Sequence, residues 1–160
     1  MFDLNDKIIS AETLKKTCFR WRFFGEKIVF TNGCFDIIHQ GHINYLIEAK
    51  KMGEKLIVGL NSDSSVKKIK GNNRPIQDEN SRAKILASFG FIDAVILFKE
   101  QTPQKLIQNI RPDILVKGSD YLVDKIKGSE FVLSYGGTVK TIELTSNYST
   151  SKIIKKIKTV

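Results

Sequence analysis

Apolar residues along the chain follow two patterns, short continuous runs and longer stretches with helical spacing. The continuous runs fit strands buried on both faces of a parallel sheet, and they cover residues 27–31, 55–60, 94–98, 114–116 and 138–144. The helical stretches alternate with them and cover residues 6–22, 41 onward, 79–89, 103–110, 130–135 and 149–158. This alternation predicts an α/β fold, a doubly wound, mostly parallel five-stranded sheet with helices on both faces.

The length of 160 residues and the lack of a linker indicate a single domain. Within it we expect an N-terminal helical arm over residues 1–26 and the main α/β unit over residues 27–160. No apolar run approaches the ~20 residues of a membrane span, and the N-terminus lacks the features of a signal peptide. We therefore expect a cytoplasmic protein with no membrane partner. Cys18 and Cys34 lack the paired spacing of a disulfide framework or a cysteine zinc site.

The charge balance favours anionic partners. The chain has 26 Lys and Arg against 17 Asp and Glu, a net charge of +9, which suits nucleotides, sugar phosphates or nucleic acid. Aromatic residues such as Phe30 and Phe98 fit the core, and no basic-aromatic surface series is evident, which argues against nucleic acid. Basic residues concentrate in 67–74 and 152–158. We expect residues 67–75 to form a loop that serves as a lid, and residues 152–158 to form a solvated helix face.

The junction between the first predicted strand and the helix at Gly41 has the composition of a phosphate site. Asn32 and Gly33 follow the strand, and the chain's two histidines, His39 and His42, bracket the helix start. A helix N-terminus attracts phosphate through free backbone N–H groups and the positive end of its dipole. The alternatives are a pair of surface or capping histidines, or a zinc pair that would need a further ligand.

The sequence lacks the motifs of two other classes of nucleotide-binding enzyme. A dinucleotide-dependent oxidoreductase would carry Gly-x-Gly-x-x-Gly after the first strand, and a P-loop kinase would carry Gly-Lys-Ser/Thr; the sequence has neither. In a doubly wound sheet the ligand lies at the carboxyl edge of the strands. That edge is predicted to collect residues 31–36, 61–64 and 117–120.

Residues 30–42, Phe-Thr-Asn-Gly-Cys-Phe-Asp-Ile-Ile-His-Gln-Gly-His, resemble the signature of the cytidylyltransferase-like nucleotidyltransferase superfamily, His-x-Gly-His after a strand. More motifs, in order and spacing, resemble the stand-alone adenylyltransferases of ADP-heptose synthesis. These motifs lie at residues 61–63, 71–75, 102–106, 111–118, 120–121 and 149–154. The resemblance implies a Rossmann-like nucleotidyltransferase fold.

The same resemblance implies a reaction and its partners. ATP and D-glycero-β-D-manno-heptose 1-phosphate would give ADP-heptose and pyrophosphate by direct in-line attack at the α-phosphate. Mg²⁺ would arrive with ATP, without a dedicated protein metal site, and a separate sugar kinase would act upstream. A homodimer stays open. So does the alternative of a cytidylyltransferase acting on glycerol 3-phosphate or another small phosphate, although residues 144–148 lack the arginine that those relatives carry before the last helix.

Candidate site residues fall into three groups. The predicted catalytic residues are His39 and His42, as donors to the phosphates, and Lys67. The predicted nucleotide-binding residues are Thr31, Asn32, Gly33, Cys34, Phe35, Gly41, Lys117, Ser149 and Thr150. The predicted substrate-binding residues are Asp36, Asn61, Asp63, Arg74, Arg82 and Asp120.

Several of these residues have a structural alternative. Asp36 could cap a turn, Arg82 could pair with Glu79, and Ser149 could be a simple helix N-cap. Lys67 could be solvated. Cys34 lies inside the signature, but we expect it to pack under the loop, because in-line transfer needs no thiol nucleophile.

Overall fold

The computed structural model describes residues 4–159, and its centre is a five-stranded sheet in the order β3-β2-β1-β4-β5. The strands are β1 (Ile28–Gly33), β2 (Lys55–Asn61), β3 (Ala94–Phe98), β4 (Ile114–Gly118) and β5 (Thr138–Ile142). Every neighbouring pair runs parallel. The predicted doubly wound α/β fold is therefore confirmed, with all five strands parallel.

Helices connect the strands. They are α1 (Ala11–Phe23), α2 (Gln40–Lys50), α3 (Asp63–Lys70), α4 (Glu79–Ser88), α5 (Gln104–Ile110), α6 (Ser129–Ser134) and α7 (Thr150–Ile157), with short 3-10 turns at Leu4–Asp6 and Val123–Lys125. Side chains of Ser10, Ser62, Asp78 and Ser149 cap α1, α3, α4 and α7 by accepting from backbone N–H groups of the first turn. Between residues 4 and 159, none of the helices combines the length and apolarity needed to cross a lipid bilayer.

The strand order places a switch point beside β1. From β1 the chain builds outward through β2 to β3, then returns to the other side of β1 for β4 and β5. Connections therefore diverge between β1 and β4, and a crevice opens at their carboxyl ends, where ligands bind in such sheets. The register of Phe30 with Leu115 fixes these two strands side by side.

Two apolar layers cover the sheet. On one face Leu14, Cys18 and Trp21 of α1 join residues of α5 and α6 over strand residues that include Phe30. On the other face Leu46 of α2 packs in a cluster with residues of α4. The N-terminal helix thus contributes to the main core; the first three residues of the predicted arm, and Val160 of the predicted main unit, lie outside the described residues.

The stretch before α1 covers one edge of the sheet. Ile8 forms a parallel bridge with Val95 of β3. Ile9 N donates to Val95 O at 3.0 Å, and Val95 N donates to Lys7 O at 2.8 Å. These bonds satisfy backbone groups that an open edge strand would expose. The same pairing explains why α1 begins at Ala11, capped by Ser10, and not at residue 6 as predicted.

The basic stretch 67–75 differs from the predicted loop. Its first four residues belong to α3, which extends to Lys70 because Ser62 caps it and Val66 anchors it in the core. Gly71, with φ of 94°, ends the helix in a conformation that favours glycine. A smaller difference occurs at α5, where Pro103 holds the cap position and makes no side-chain cap hydrogen bond.

Candidate active site

A cleft of about 620 Å³ lies at the carboxyl ends of β1 and β4. Its walls come from the exit of β1, the start of α2, the exit of β4 and the approach to α7. Most of the predicted site residues line it: Asn32, Gly33, Cys34, Phe35, Asp36, His39, Gly41, His42, Asn61, Arg74, Lys117, Asp120, Ser149 and Thr150. Thr31, Asp63, Lys67 and Arg82 lie outside its lining.

The two histidines meet at the start of α2. His39 is the N-cap residue, and His42 N donates to His39 Nδ1 at 3.4 Å. The two rings stack, with centroids 3.8 Å apart and planes 19° from parallel. Gly41 makes this possible, because a Cβ there would lie 3.1 Å from His39 Nδ1 and 3.2 Å from Tyr148 Cβ. The spacing therefore presents two imidazoles together at a helix N-terminus.

Burial keeps both imidazoles uncharged at neutral pH in the free protein. Burial lowers the pKa of His39, and it lowers the pKa of His42 from 6.5 to about 4, with a further lowering from His39. The Ile37 carbonyl opposes the drop at His42, yet it makes no well-formed hydrogen bond: His42 Nδ1 is a buried atom without a partner among the described residues. Asn32 Oδ1 is likewise buried and has no hydrogen-bond partner among the described residues. Both atoms belong to residues of the cleft, where a ligand can satisfy them.

Lys117 supplies a cation at the switch point. Its Nζ donates to Asn32 O at 3.1 Å, which joins β4 to β1, and lies 5.5 Å from the centre of the Tyr121 ring. Burial lowers the pKa of Lys117 from 10.5 to about 8, and the charges of Asp120 and Cys34 oppose this drop. At neutral pH most of the Lys117 side chains therefore carry the positive charge that a phosphate needs.

Asp36 has a structural role in the free protein. Its carboxylate is buried and accepts from Arg74 Nε at 2.6 Å, Ile76 N at 2.8 Å and Gln77 N at 2.9 Å. Burial by itself would raise its pKa, but the bonds from Gln77, Ile76 and Arg74 outweigh burial, and the pKa is lowered. The predicted turn-capping alternative fits these contacts, because the carboxylate is already engaged and makes no bond to an imidazole.

Arg82 is placed beneath the cleft and not in its lining. The side chain is fully buried, and its donors reach four acceptors: Gln77 O (3.0 Å), Cys34 O (2.6 Å), Asn61 O (2.9 Å) and Asp63 Oδ1 (2.7 Å). The expected contact of Arg82 with a substrate phosphate, and its alternative pairing with Glu79, are both corrected by this geometry. Asp63 is engaged in the same way, since its carboxylate pairs with Arg82 and its N–H donates to Glu79.

The two remaining residues outside the lining are Lys67 and Thr31. Lys67 is an exposed residue of α3, and one turn further Lys70 lines the cleft in its place. The continuation of α3 through residues 67–70 accounts for this difference. Thr31 is buried, and its hydroxyl shares a 2.6 Å hydrogen bond with Tyr45 OH. It supports α2 from below the cleft.

The start of α7 closes one side of the cleft. Ser149 Oγ accepts from Lys152 N at 3.2 Å, so Ser149 is both the helix cap and part of the lining. Thr150 Oγ1 donates to Ile37 O at 3.4 Å, and Asn44 Nδ2 donates to Thr145 Oγ1 at 3.2 Å. These contacts hold the residues before α7, and its first residue, against α2 and the loop that precedes it.

Tyr148 is a site residue that the sequence reasoning missed. Its ring lies 6.4 Å from the His39 ring and 22° from parallel to it, on the cleft side of α2. The available signal is its position immediately before the cap residue Ser149, which places it at a helix start facing the same edge of the sheet.

Burial disfavours a nucleophilic role for the Cys34 thiol. Burial raises the pKa of the Cys34 thiol, although Lys70, Arg82 and Arg74 act in the opposite direction. A thiol with a raised pKa forms little of the nucleophilic thiolate at neutral pH. Within residues 4–159 no three His, Cys, Asp or Glu side chains are grouped so as to hold a metal ion.

Comparison with known proteins places the chain in a family. The cytidylyltransferase-like family model matches residues 30–156. The bifunctional protein HldE of Magnetococcus marinus is 44% identical over 98% of this chain and 32% of its own length, and that of Koribacter versatilis is 47% identical over 94% and 31%. The chain thus spans about a third of the length of the curated relatives it matches.

A solved structure agrees with this assignment. The lipopolysaccharide core biosynthesis protein of Thermoplasma volcanium superposes with a TM-score of 0.63 at 35% identity, over 78% of this chain and 100% of that one. The paired histidines, the cleft and the switch-point lysine all fall within the residues that the family model matches. The chain therefore belongs to the cytidylyltransferase-like family, and it is a nucleotidyltransferase.

Proposed function

We propose that this nucleotidyltransferase transfers an adenylyl group from ATP to D-glycero-β-D-manno-heptose 1-phosphate, giving ADP-heptose and pyrophosphate. The motifs at residues 61–63, 111–118 and 149–154 support it, because they resemble the adenylyltransferases of ADP-heptose synthesis. The names of the relatives, bifunctional protein HldE and lipopolysaccharide core biosynthesis protein, agree with that branch. A separate sugar kinase would supply the heptose 1-phosphate.

One observation carries the proposal: the stacked imidazoles of His39 and His42 share a cleft with Lys117. Adenylyl transfer builds negative charge on the oxygens around the α-phosphorus and on the leaving group, so the site needs donors already in place. The imidazole N–H groups and the Lys117 ammonium are such donors. Because an approaching anion favours the charged form, we expect the pKa of His42 to rise when a triphosphate binds.

The chemistry is one displacement. A phosphate oxygen of the sugar phosphate forms a bond to the α-phosphorus, and the bond from that phosphorus to the bridging oxygen of the β-phosphate breaks. The electron pair leaves on pyrophosphate. The nucleophile is already ionised, so neither His39 nor His42 has to remove a proton from it. Both imidazoles act as hydrogen-bond donors to the phosphates.

Mg²⁺ fits this cleft as an ion carried by ATP. Asp36 and Asp120 are the carboxylates among the described residues that line the cleft, and Asp36 is engaged by Arg74. The phosphates would therefore supply most of the ligands, with Asp120 as the available carboxylate. When bound, the ion neutralises charge on the leaving pyrophosphate.

Sugar recognition falls to the remaining polar groups of the rim. The side-chain Nδ2 of Asn61 donates to Ser65 Oγ at 2.9 Å. The side-chain Oδ1 of Asn61 is therefore left to accept from a substrate hydroxyl. Asp120 lies across the cleft on the exit from β4. A sugar with several hydroxyls can satisfy these groups, whereas glycerol 3-phosphate would leave some of them unpaired.

The test is pyrophosphate release across a substrate panel. ATP, CTP, GTP and UTP are each combined with heptose 1-phosphate, glycerol 3-phosphate and other small phosphates in the presence of Mg²⁺. We expect the highest kcat/KM with ATP and heptose 1-phosphate. A preference for CTP with glycerol 3-phosphate would overturn the substrate assignment and leave the nucleotidyltransferase assignment intact.

A further inference from the structure

The outer face of α1 carries an aromatic patch that the core does not use. The residues Phe19, Phe23 and Phe24 are 73%, 78% and 70% exposed. With roughly 150–250 Å² per aromatic side chain, the three rings amount to about 450 Å². A contiguous apolar patch of that size on a monomer is often functional.

Basic residues flank these phenylalanines along the chain. Lys15, Arg20 and Lys27 are exposed, and no salt bridge of the described residues engages them. The nearby acids are paired, Glu12 with Lys16 at 2.9 Å and Glu26 with Lys55 at 3.1 Å, and the Arg22 guanidinium donates to Ile110 O and Arg111 O at the end of α5. We define the basic-aromatic patch as Phe19, Phe23 and Phe24 with the cations Lys15, Arg20 and Lys27. Its charge calls for an anionic partner that can also accept apolar rings.

The patch lies far from the cleft. Phe24 stands four residues before Ile28, the first residue of β1, whereas the cleft opens at the other end of that strand. Six strand residues at about 3.3 Å each separate the two edges by roughly 20 Å. A partner on the patch would leave the cleft open to its substrates.

The geometry and charge select among anionic partners. The rings of Phe23 and Phe24 meet edge to face, at 84°, and so form no shared flat platform on which nucleic-acid bases could stack. A second copy of the chain would bring like charges together across the contact. A protruding cluster of phenyl rings beside Lys and Arg side chains suits the interface of an anionic bilayer, where rings enter the headgroup boundary and cations meet phosphates.

We infer that the basic-aromatic patch docks the protein on an anionic membrane surface. The expectation of no membrane partner rests on the lack of a long apolar run, and peripheral docking needs only a surface patch. Sequence alone does not reveal the patch, because its phenylalanines share α1 with the core residues Leu14, Cys18 and Trp21.

Vesicle flotation tests the inference on the full chain. Vesicles of phosphatidylglycerol and phosphatidylcholine are compared with vesicles of phosphatidylcholine alone. We expect binding to the first and not the second, and a loss of about tenfold or more in affinity for the triple variant Phe19→Ser, Phe23→Ser, Phe24→Ser. Its melting temperature and nucleotidyl transfer should stay at the parent values. The charge variant Lys15→Glu, Arg20→Glu should lose binding as well.

The matched control is Leu133→Ser with Ile157→Ser, which removes apolar side chains with exposures of 53% and 65% elsewhere on the surface. Ile157 also lies on the basic helix α7, the rival surface for an anionic bilayer. Vesicle binding lost in this control and kept in the triple variant would overturn the inference. So would a lack of binding to phosphatidylglycerol vesicles, or a parent dimer in light scattering that the triple variant converts to monomer.

Discussion

Polar groups beneath the cleft and polar groups at its mouth differ in whether the protein itself satisfies them. Beneath the cleft, Arg82 bonds to three carbonyl oxygens and a carboxylate, and at the base of the cleft lining Asp36 is paired with Arg74. At the mouth, His42 Nδ1 and Asn32 Oδ1 are buried and have no hydrogen-bond partner among residues 4–159. The first set fixes the backbone of residues 34–36 under the ligand, and the second set is free to bind it.

The difference shows how scaffold and binding groups can be distinguished within one site. A buried polar atom without a partner costs free energy, and proteins keep few of them. Gln77 Oε1 is also unpartnered but lies outside the lining, so the absence of a partner is informative only for an atom that faces the cleft. We expect substitutions beneath the cleft to change stability first, and substitutions at the mouth to change turnover first.

The largest expected effect is at Arg82. Arg82→Met should lower the free energy of unfolding by about 3–5 kcal/mol, because Asp63 and three carbonyl oxygens lose their donor in a buried setting. Urea unfolding measures the change. The control is Lys84→Met on the exposed side of the same helix, whose free energy of unfolding should stay near that of the parent. A loss below about 1 kcal/mol in Arg82→Met would remove the distinction between the two sets.

At the mouth, His42→Ala and His39→Ala should each lower kcat by about 10²-fold or more, because a donor to the phosphates is lost. The unfolding free energy of His42→Ala should stay close to the parent, and that of His39→Ala should fall by only about 1 kcal/mol, because His39 caps α2. Substrate KM should change less than kcat in both variants. Steady-state pyrophosphate release and urea unfolding together check this. Turnover within a few-fold of the parent in both variants would exclude the imidazoles from the mechanism.

Because of Lys117, we expect kcat/KM to fall by about tenfold per pH unit on the basic side of its pH profile. Its ammonium is lost as pH rises through the pKa of about 8, so kcat/KM of the parent should fall above that pH. The Lys117→Met variant should have a lower kcat/KM at neutral pH, and its kcat/KM should not fall above pH 8 as that of the parent does. A profile with the same limb in parent and variant would assign the titration to another group.

Stability should respond to the same group with the opposite sign. Because the pKa of Lys117 is lowered from 10.5 to about 8, the unfolded chain binds more protons than the folded chain between these values. The contribution of Lys117 to stability therefore rises with pH across that window, and Lys117→Met should remove this part of the pH dependence.

The smallest effect is expected at Cys34, whose thiol has no role in the transfer. Its backbone carbonyl accepts from Arg82, and Cys34→Ser keeps that carbonyl. Activity should stay within about threefold of the parent. A folded but inactive Cys34→Ser variant, together with a trapped nucleotidyl-thiol adduct, would show covalent catalysis.

Local sequence patterns were sufficient for the sheet and for the location of the histidines. Continuous apolar runs marked the buried strands, and Gly41 marked the start of α2, which places His39 and His42 at its N-terminus. The carboxyl edge of a parallel sheet follows from strand order without knowledge of side-chain contacts.

Pairings between distant residues could not be read in this way. The partner of Arg82 is Asp63, 19 residues away, whereas local spacing suggests Glu79. Lys70 replaces Lys67 at the cleft because α3 ends at Gly71, and a helix end is among the least certain features of a sequence pattern. Tyr148 lies on a loop whose path depends on contacts of Asn44 and Thr145.

The edge pairing of Lys7 and Ile9 with Val95 determines where the protein can be cut. A fragment beginning at residue 27, the boundary that strand pattern alone suggests, would uncover the β3 backbone and remove Leu14, Cys18 and Trp21 from the core. Uncovered strand edges pair with other chains and aggregate. An expression fragment that keeps the fold must therefore start before Lys7.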